Sequence, residues 1–223
     1  MPDCGIRRSA VTTICLGLAT IAAAGEPLRE VSFDTADGAK VYADLYGGTS
    51  GDAVVLAHGA AFDRASWRGF AGQLAARGHR VMAIDFRGYG KSTAGAAKEA
   101  RFEDILAAVR YLRGLGVRRV AVVGASMGGG AAAEAATRPP GDIDRLVLLS
   151  PVPIEHPERI GGRKLFIASA HEPAVERVKE QYDRAPEPKR LLLLPGTAHA
   201  QHIFTTDQAE RLTTEIDAFV AAQ

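Results

Sequence analysis

Cysteine is nearly missing from this chain of 223 residues; only Cys4 and Cys15 occur, both close to the amino terminus. The body of the chain therefore has no thiol with which to build a disulfide framework. Neither sign of charge is in excess, with 27 Lys plus Arg against 26 Asp plus Glu. That balance sets up no global field to attract nucleic acid or an anionic membrane. His79, His156 and His171 have no spacing that suggests a metal cluster, so no metal or other cofactor is expected. Long apolar runs are also scarce: Ala10 to Ala24 falls short of the roughly 20 apolar residues a membrane-spanning helix needs. No internal repeat, low-complexity tract or interdomain linker interrupts the rest. The length suits one domain with a substantial core.

What is present at the amino terminus has a recognisable order. Arg7 and Arg8 precede the Ala10–Ala24 run, which ends in Ala22, Ala23 and Ala24. A basic segment, a short apolar run and small residues at the end match a secretory signal peptide. Residues 1–24 are thus expected to be an export signal cleaved near Ala24, leaving 25–223 as one periplasmic or secreted domain. Both cysteines would leave with the signal. No stable membrane insertion would remain, and oligomeric state is open.

Downstream, the pattern is alternation. Val31–Phe33 and Val41–Tyr46 predict short strands around Asp37-Gly38, a dipeptide that favours a tight hairpin. Strands are then expected at 53–57, 81–84, 120–125, 146–149, 165–168 and 190–194. Helices are expected at 70–77, 102–115, after Ser126, at 175–184 and at 207–220. Strands alternating with helices signify a largely parallel sheet covered on both faces. Pro151 to Lys164 is a connection of ordinary length and not an inserted domain, so the end of the sheet should be uncapped.

The most informative stretch is Val120-Ala121-Val122-Val123-Gly124-Ala125-Ser126-Met127-Gly128-Gly129-Gly130. A buried strand here turns sharply into an alanine-rich helix, and the bend tolerates only small neighbours. Gly124, Gly128 and Gly129 supply that room. Such a turn lifts the Ser126 hydroxyl above the strand end and aims the Met127 N–H and the helix's positive end at one point.

On these residues, and on His58-Gly59 and Asp85-Phe86-Arg87-Gly88-Tyr89-Gly90-Lys91-Ser92, the chain resembles the α/β-hydrolase family over about residues 31 to 220. The resemblance implies an α/β-hydrolase fold: a mostly parallel central sheet with an antiparallel hairpin at its start, helices on both faces and no cap domain. It assigns Ser126 as nucleophile, and His199, in Gly196-Thr197-Ala198-His199, as base, with His202 as the runner-up. Glu172 of Glu172-Pro173 stands where the family commonly has aspartate. Ala60, following His58-Gly59, and Met127 would give the two oxyanion N–H groups. His58, Asp85 and Arg87 are expected to be structural, with Asp85 and Arg87 holding their turn through local hydrogen bonds and charge pairing. Trp67 has two readings, a pocket wall or an ordinary buried tryptophan.

A serine hydroxyl is a poor nucleophile until an imidazole takes its proton, and a carboxylate fixes the imidazole's tautomer. The expected activity is hydrolysis of a small carboxylic ester or thioester through an acyl-enzyme. The alternative is an exported hydrolase-like protein that binds a small molecule or partner with little turnover, since fold alone does not guarantee chemistry.

Overall fold

The computed structural model describes Met1 and residues 28–48 and 51–222. The expected signal segment, 1–24, lies outside the described residues apart from Met1. Eight strands form one sheet: β1 (Arg29–Asp34), β2 (Lys40–Tyr46), β3 (Asp52–Ala57), β4 (Arg80–Ile84), β5 (Arg119–Ala125), β6 (Arg145–Leu149), β7 (Arg163–Ser169) and β8 (Lys189–Leu194). Their spatial order is β1-β2-β4-β3-β5-β6-β7-β8. β1 and β2 pair antiparallel, as do β2 and β4, and every later pairing is parallel.

The helices are α1 (Arg68–Ala76), α2 (Arg101–Gly114), α3 (Met127–Ala135), α4 (Val175–Arg184) and α5 (Ala209–Ala221). Period-two alternation splits each central strand between two cores. Val120 and Val122 of β5 face the core that includes α2, α3 and α4. Ala121, Val123 and Ala125 face the one that includes α1 and α5. With both faces covered, these strands read as continuous apolar runs. Between β6 and β7 the only regular piece is a short 3₁₀ turn at Pro157–Arg159, so nothing caps the sheet there.

Chain direction through the sheet locates the crevice. From β3 the chain moves outward to β4 across α1, then α2 returns it to β5 on β3's other side. Ligand sites of open α/β sheets lie at such a reversal, beyond the carboxyl ends of the strands. The loops after β3 and β5 both leave from this point.

Two expectations need correction. The connection between β1 and β2 is wider than a tight two-residue hairpin. It runs from Thr35 to Ala39, closed by the Thr35 N–H on the Ala39 carbonyl and by the Thr35 hydroxyl on Asp37. Arg87 is charge-paired as expected and bonds Ala97 O of its own loop, but its carboxylate partners are not local. Its guanidinium bonds Asp104 of α2 and Asp37 of that connection, both distant in sequence. Asp37 is engaged by Arg87, outside the hairpin it sits in. Arg87 and Asp104 are both buried, and through Asp37 the same guanidinium ties the first hairpin to the body.

Candidate active site

The turn between β5 and α3 is as tight as the glycines require. A Cβ on Gly124 would come within 2.4 Å of the Gly128 carbonyl oxygen, and one on Gly128 within 2.3 Å of the Ala57 carbonyl oxygen. Only hydrogen fits at these positions. Ser126 sits at the apex with φ 50° and ψ −109°, a positive-φ conformation that an L-residue adopts at a cost of about 1–3 kcal/mol. Its backbone is held on three sides: its N–H donates to Leu149 O at 2.9 Å, and its carbonyl accepts from the Gly130 and Val152 N–H groups, each at 3.1 Å. The strain is thus maintained by β6 and α3 and leaves the hydroxyl half-exposed.

His199 follows β8 and Glu172 follows β7, so two adjacent strands deliver them. The Ser126 hydroxyl donates to His199 Nε2 at 3.0 Å, and His199 Nδ1 lies 2.5 Å from Glu172 Oε2. A carboxylate can only accept there, so the proton belongs on Nδ1 and leaves Nε2 free to receive. Glu172 is 2 % exposed and its second oxygen is also used. Oε1 accepts from the Ser150 hydroxyl at 2.5 Å and from the Ser169 N–H at 3.0 Å. The loop that carries Glu172 is stapled to the end of β8 through Ala170 N–H on Leu194 O and His171 N–H on Gly196 O. His199 keeps 40 % of its side chain exposed, so the cleft is open.

Ala60 and Met127 are the two amides expected to face an oxyanion. Neither N–H has a protein acceptor among the described residues, and Met127 N–H belongs to the first turn of α3. The Ala60 peptide is oriented from behind. Gly59 O, in the same peptide plane, accepts from His58 Nδ1 at 2.9 Å and from Phe62 N–H at 3.0 Å. In a trans peptide the carbonyl and the following N–H point opposite ways, so the Ala60 N–H is turned outward. His58 Nε2 accepts from the Phe86 N–H at 3.2 Å, which places its single proton on Nδ1. Burial is the main cause holding the His58 pKa below the usual imidazole value.

The other candidates fall elsewhere. The ring of His202 stacks beside Phe62 at 5.0 Å, away from Ser126. Asp85 accepts from the Arg64 N–H at 2.8 Å and so anchors the loop after β3. Trp67 is buried and lines a cavity of about 550 Å³ between α1 and α5 that touches none of the three facing side chains. A second cavity, of about 590 Å³, lies beside the turn: Met127, Gly130, Ala131, Val152 and Ile154 line it together with arginines and glutamates, and it too touches none of the three facing side chains. Ser150, Ser169 and Gln201 were not singled out from the sequence; single polar residues in loops carry no periodicity or motif that would mark them.

Comparison with known proteins agrees with this architecture. The profile of the alpha/beta hydrolase fold matches residues 52–163. An uncharacterized protein of Mycobacterium tuberculosis is 30% identical over 205 residues, covering 77% of this chain and 72% of that protein. A 2-hydroxy-6-oxononadienedioate/2-hydroxy-6-oxononatrienedioate hydrolase of Burkholderia vietnamiensis is 32% identical over 149 residues, covering 60% of this chain and 49% of that enzyme. Among solved structures, an esterase of Pyrococcus furiosus superposes with a TM-score of 0.75 at 20% identity, covering 87% of this chain and 91% of the esterase. From the tight serine turn to the profile match and the relative covered over 72% of its length, the findings agree that the chain belongs to the alpha/beta hydrolase fold family and is a hydrolase.

Proposed function

We propose that the protein hydrolyses a small carboxylic ester or thioester with Ser126, His199 and Glu172 as its catalytic residues. The observation that carries this reading is the unbroken chain from Glu172 Oε2 through His199 to the Ser126 hydroxyl, beside two amides that lack acceptors. As Ser126 Oγ bonds to the acyl carbon, its proton passes to His199 Nε2 and the carbonyl electron pair moves onto oxygen. The Ala60 and Met127 N–H groups stabilise that oxyanion; one such donor is worth about 10²–10³ in rate. The bond to the leaving oxygen or sulfur then breaks, and His199 returns the proton to it. Water repeats the sequence on the acyl-enzyme, releasing the acid and restoring the serine. Glu172 fixes the tautomer and stabilises the imidazolium.

The test is covalent and kinetic together. A fluorophosphonate should label wild-type protein at Ser126, and p-nitrophenyl esters of graded acyl length should be turned over. Ser126→Ala and His199→Ala should each remove turnover while leaving Tm nearly unchanged, and Glu172→Gln should reduce it less. Folded protein that is not labelled at Ser126 would defeat the reading and favour a binding role. Export follows from the amino-terminal run as a second part of the proposal. Its check is the amino terminus of protein recovered outside the cytoplasm, expected at Gly25.

A further inference from the structure

We propose that Gln201 is a positioning residue that locks the oxyanion loop to the histidine loop. The inference rests on the esterase reading above. Gln201 is buried, with both ends of its amide engaged. Oε1 accepts from the Gly59 N–H at 2.7 Å, and Nε2 donates to the Ser66 hydroxyl oxygen at 2.9 Å. Ser66 is itself held by Asp63, through its hydroxyl on the Asp63 carbonyl and its N–H on Asp63 Oδ1. The side chain therefore joins the loop after β8 to both parts of the loop after β3.

The consequence concerns the two peptide planes that meet at Gly59. Gly59 has its carbonyl fixed by His58 and Phe62, as described, and its N–H fixed by Gln201. With both sides of Gly59 restrained, the following Ala60 N–H has one direction available, out toward the site. Glycine at this position is the residue most free to rotate away, so the restraint must come from partners. On its other side Gln201 continues from Ala200, whose φ is +50° and whose N–H donates to the Ser150 hydroxyl oxygen at 3.2 Å. That same hydroxyl donates to Glu172. A continuous path thus runs from the triad acid through Ser150, Ala200 and Gln201 to the amide of Ala60. The acid–base half and the oxyanion half of the site are assembled as one piece.

Gln201→Met keeps the length and removes the acceptor. Its expected effect is a 10- to 100-fold loss of kcat on a p-nitrophenyl ester with KM within about twofold, short of the 10²–10³ seen when a donor is deleted outright. The Ki of a trifluoromethyl ketone, which forms an oxyanion on the serine, should rise in step with the fall in kcat/KM. Ser66→Ala, at an exposed residue, should move both quantities the same way by less and needs no buried change. Gln201→Glu, which keeps an acceptor for Gly59, should recover part of the loss. Wild-type turnover is measured first, and its absence with every ester would defeat the esterase reading itself. Wild-type turnover with unaltered kcat in Gln201→Met, or lost kcat with an unaltered Ki for the ketone, would overturn the role given to Gln201 alone. If Gln201→Met does not fold, an unaltered Ki in Ser66→Ala would overturn it equally.

Discussion

Ser126 shows what a single residue can be asked to bear. Its positive φ is imposed by the β6 carbonyl and by amides of α3 and the following loop, and the hydroxyl gains its exposed position from that strain. Relieving that strain should stabilise the fold as it removes the chemistry. Ser126→Gly is expected to exceed Ser126→Ala in stability by about 1 kcal/mol, the relief of φ strain being partly offset by glycine's larger unfolded entropy. Thermal unfolding of the two inactive variants decides the matter, and equal Tm values would mean that Ser126 is not strained. Ser150 and Gln201 bear a different load, since each joins groups on separate loops: Ser150 links Glu172 to Ala200, and Gln201 links Gly59 to Ser66.

At the scale of elements, the junction of β5, α3 and β3 sets the tolerances. The helix begins at Met127, directly after the apex, so its first turn passes over the end of β3 with no gap for a side chain. Gly128→Ala would press its Cβ against the Ala57 carbonyl, where backbone on both sides resists movement. A loss at the upper end of the overpacking range, about 3 kcal/mol, is expected along with loss of activity. Gly72 in α1 is the contrast: a Cβ there meets nothing within 4 Å. Gly72→Ala should gain about 0.5–1 kcal/mol from helix propensity. Urea midpoints of the pair report both, and a Gly128→Ala protein as stable as wild type would show that the turn can open. The boundaries of α4, Val175–Arg184, were legible in full, because Pro173 precedes them and Pro186 follows. The hairpin between β1 and β2 was misjudged because Asp37 answers to Arg87, a partner that local turn preference does not include.

For the molecule as a whole, the buried imidazole of His58 couples the site to global stability. Burial lowers its folded pKa, partly offset by the Gly59 carbonyl, Asp85 and Asp63, with Arg101 opposing protonation. The unfolded chain takes up this proton near pH 6.5 and the folded chain only at lower pH. Unfolded protein therefore binds more protons in that interval, and stability falls as pH drops below about 6.5 until the folded group also titrates. Urea midpoints at pH 7.5 and 5.5 should differ more for wild type than for His58→Gln, whose side chain does not ionise in this range; equal differences would remove His58 as the source. Much of the whole was legible beforehand, since apolar runs of fixed period and glycines at a bend act through sterics within a few residues. By itself the sequence determined the alternation of strands and helices, the two-core sheet and the glycine turn at Ser126. Tertiary structure alone decided that Ser150 and Ser169 hold Glu172 against His199, that Arg87 reaches across to Asp37 and Asp104, and that Gln201 restrains Gly59. Those choices depend on which chain ends the sheet order brings together, and hydrogen bonds between loops far apart in the chain leave no periodic trace in it.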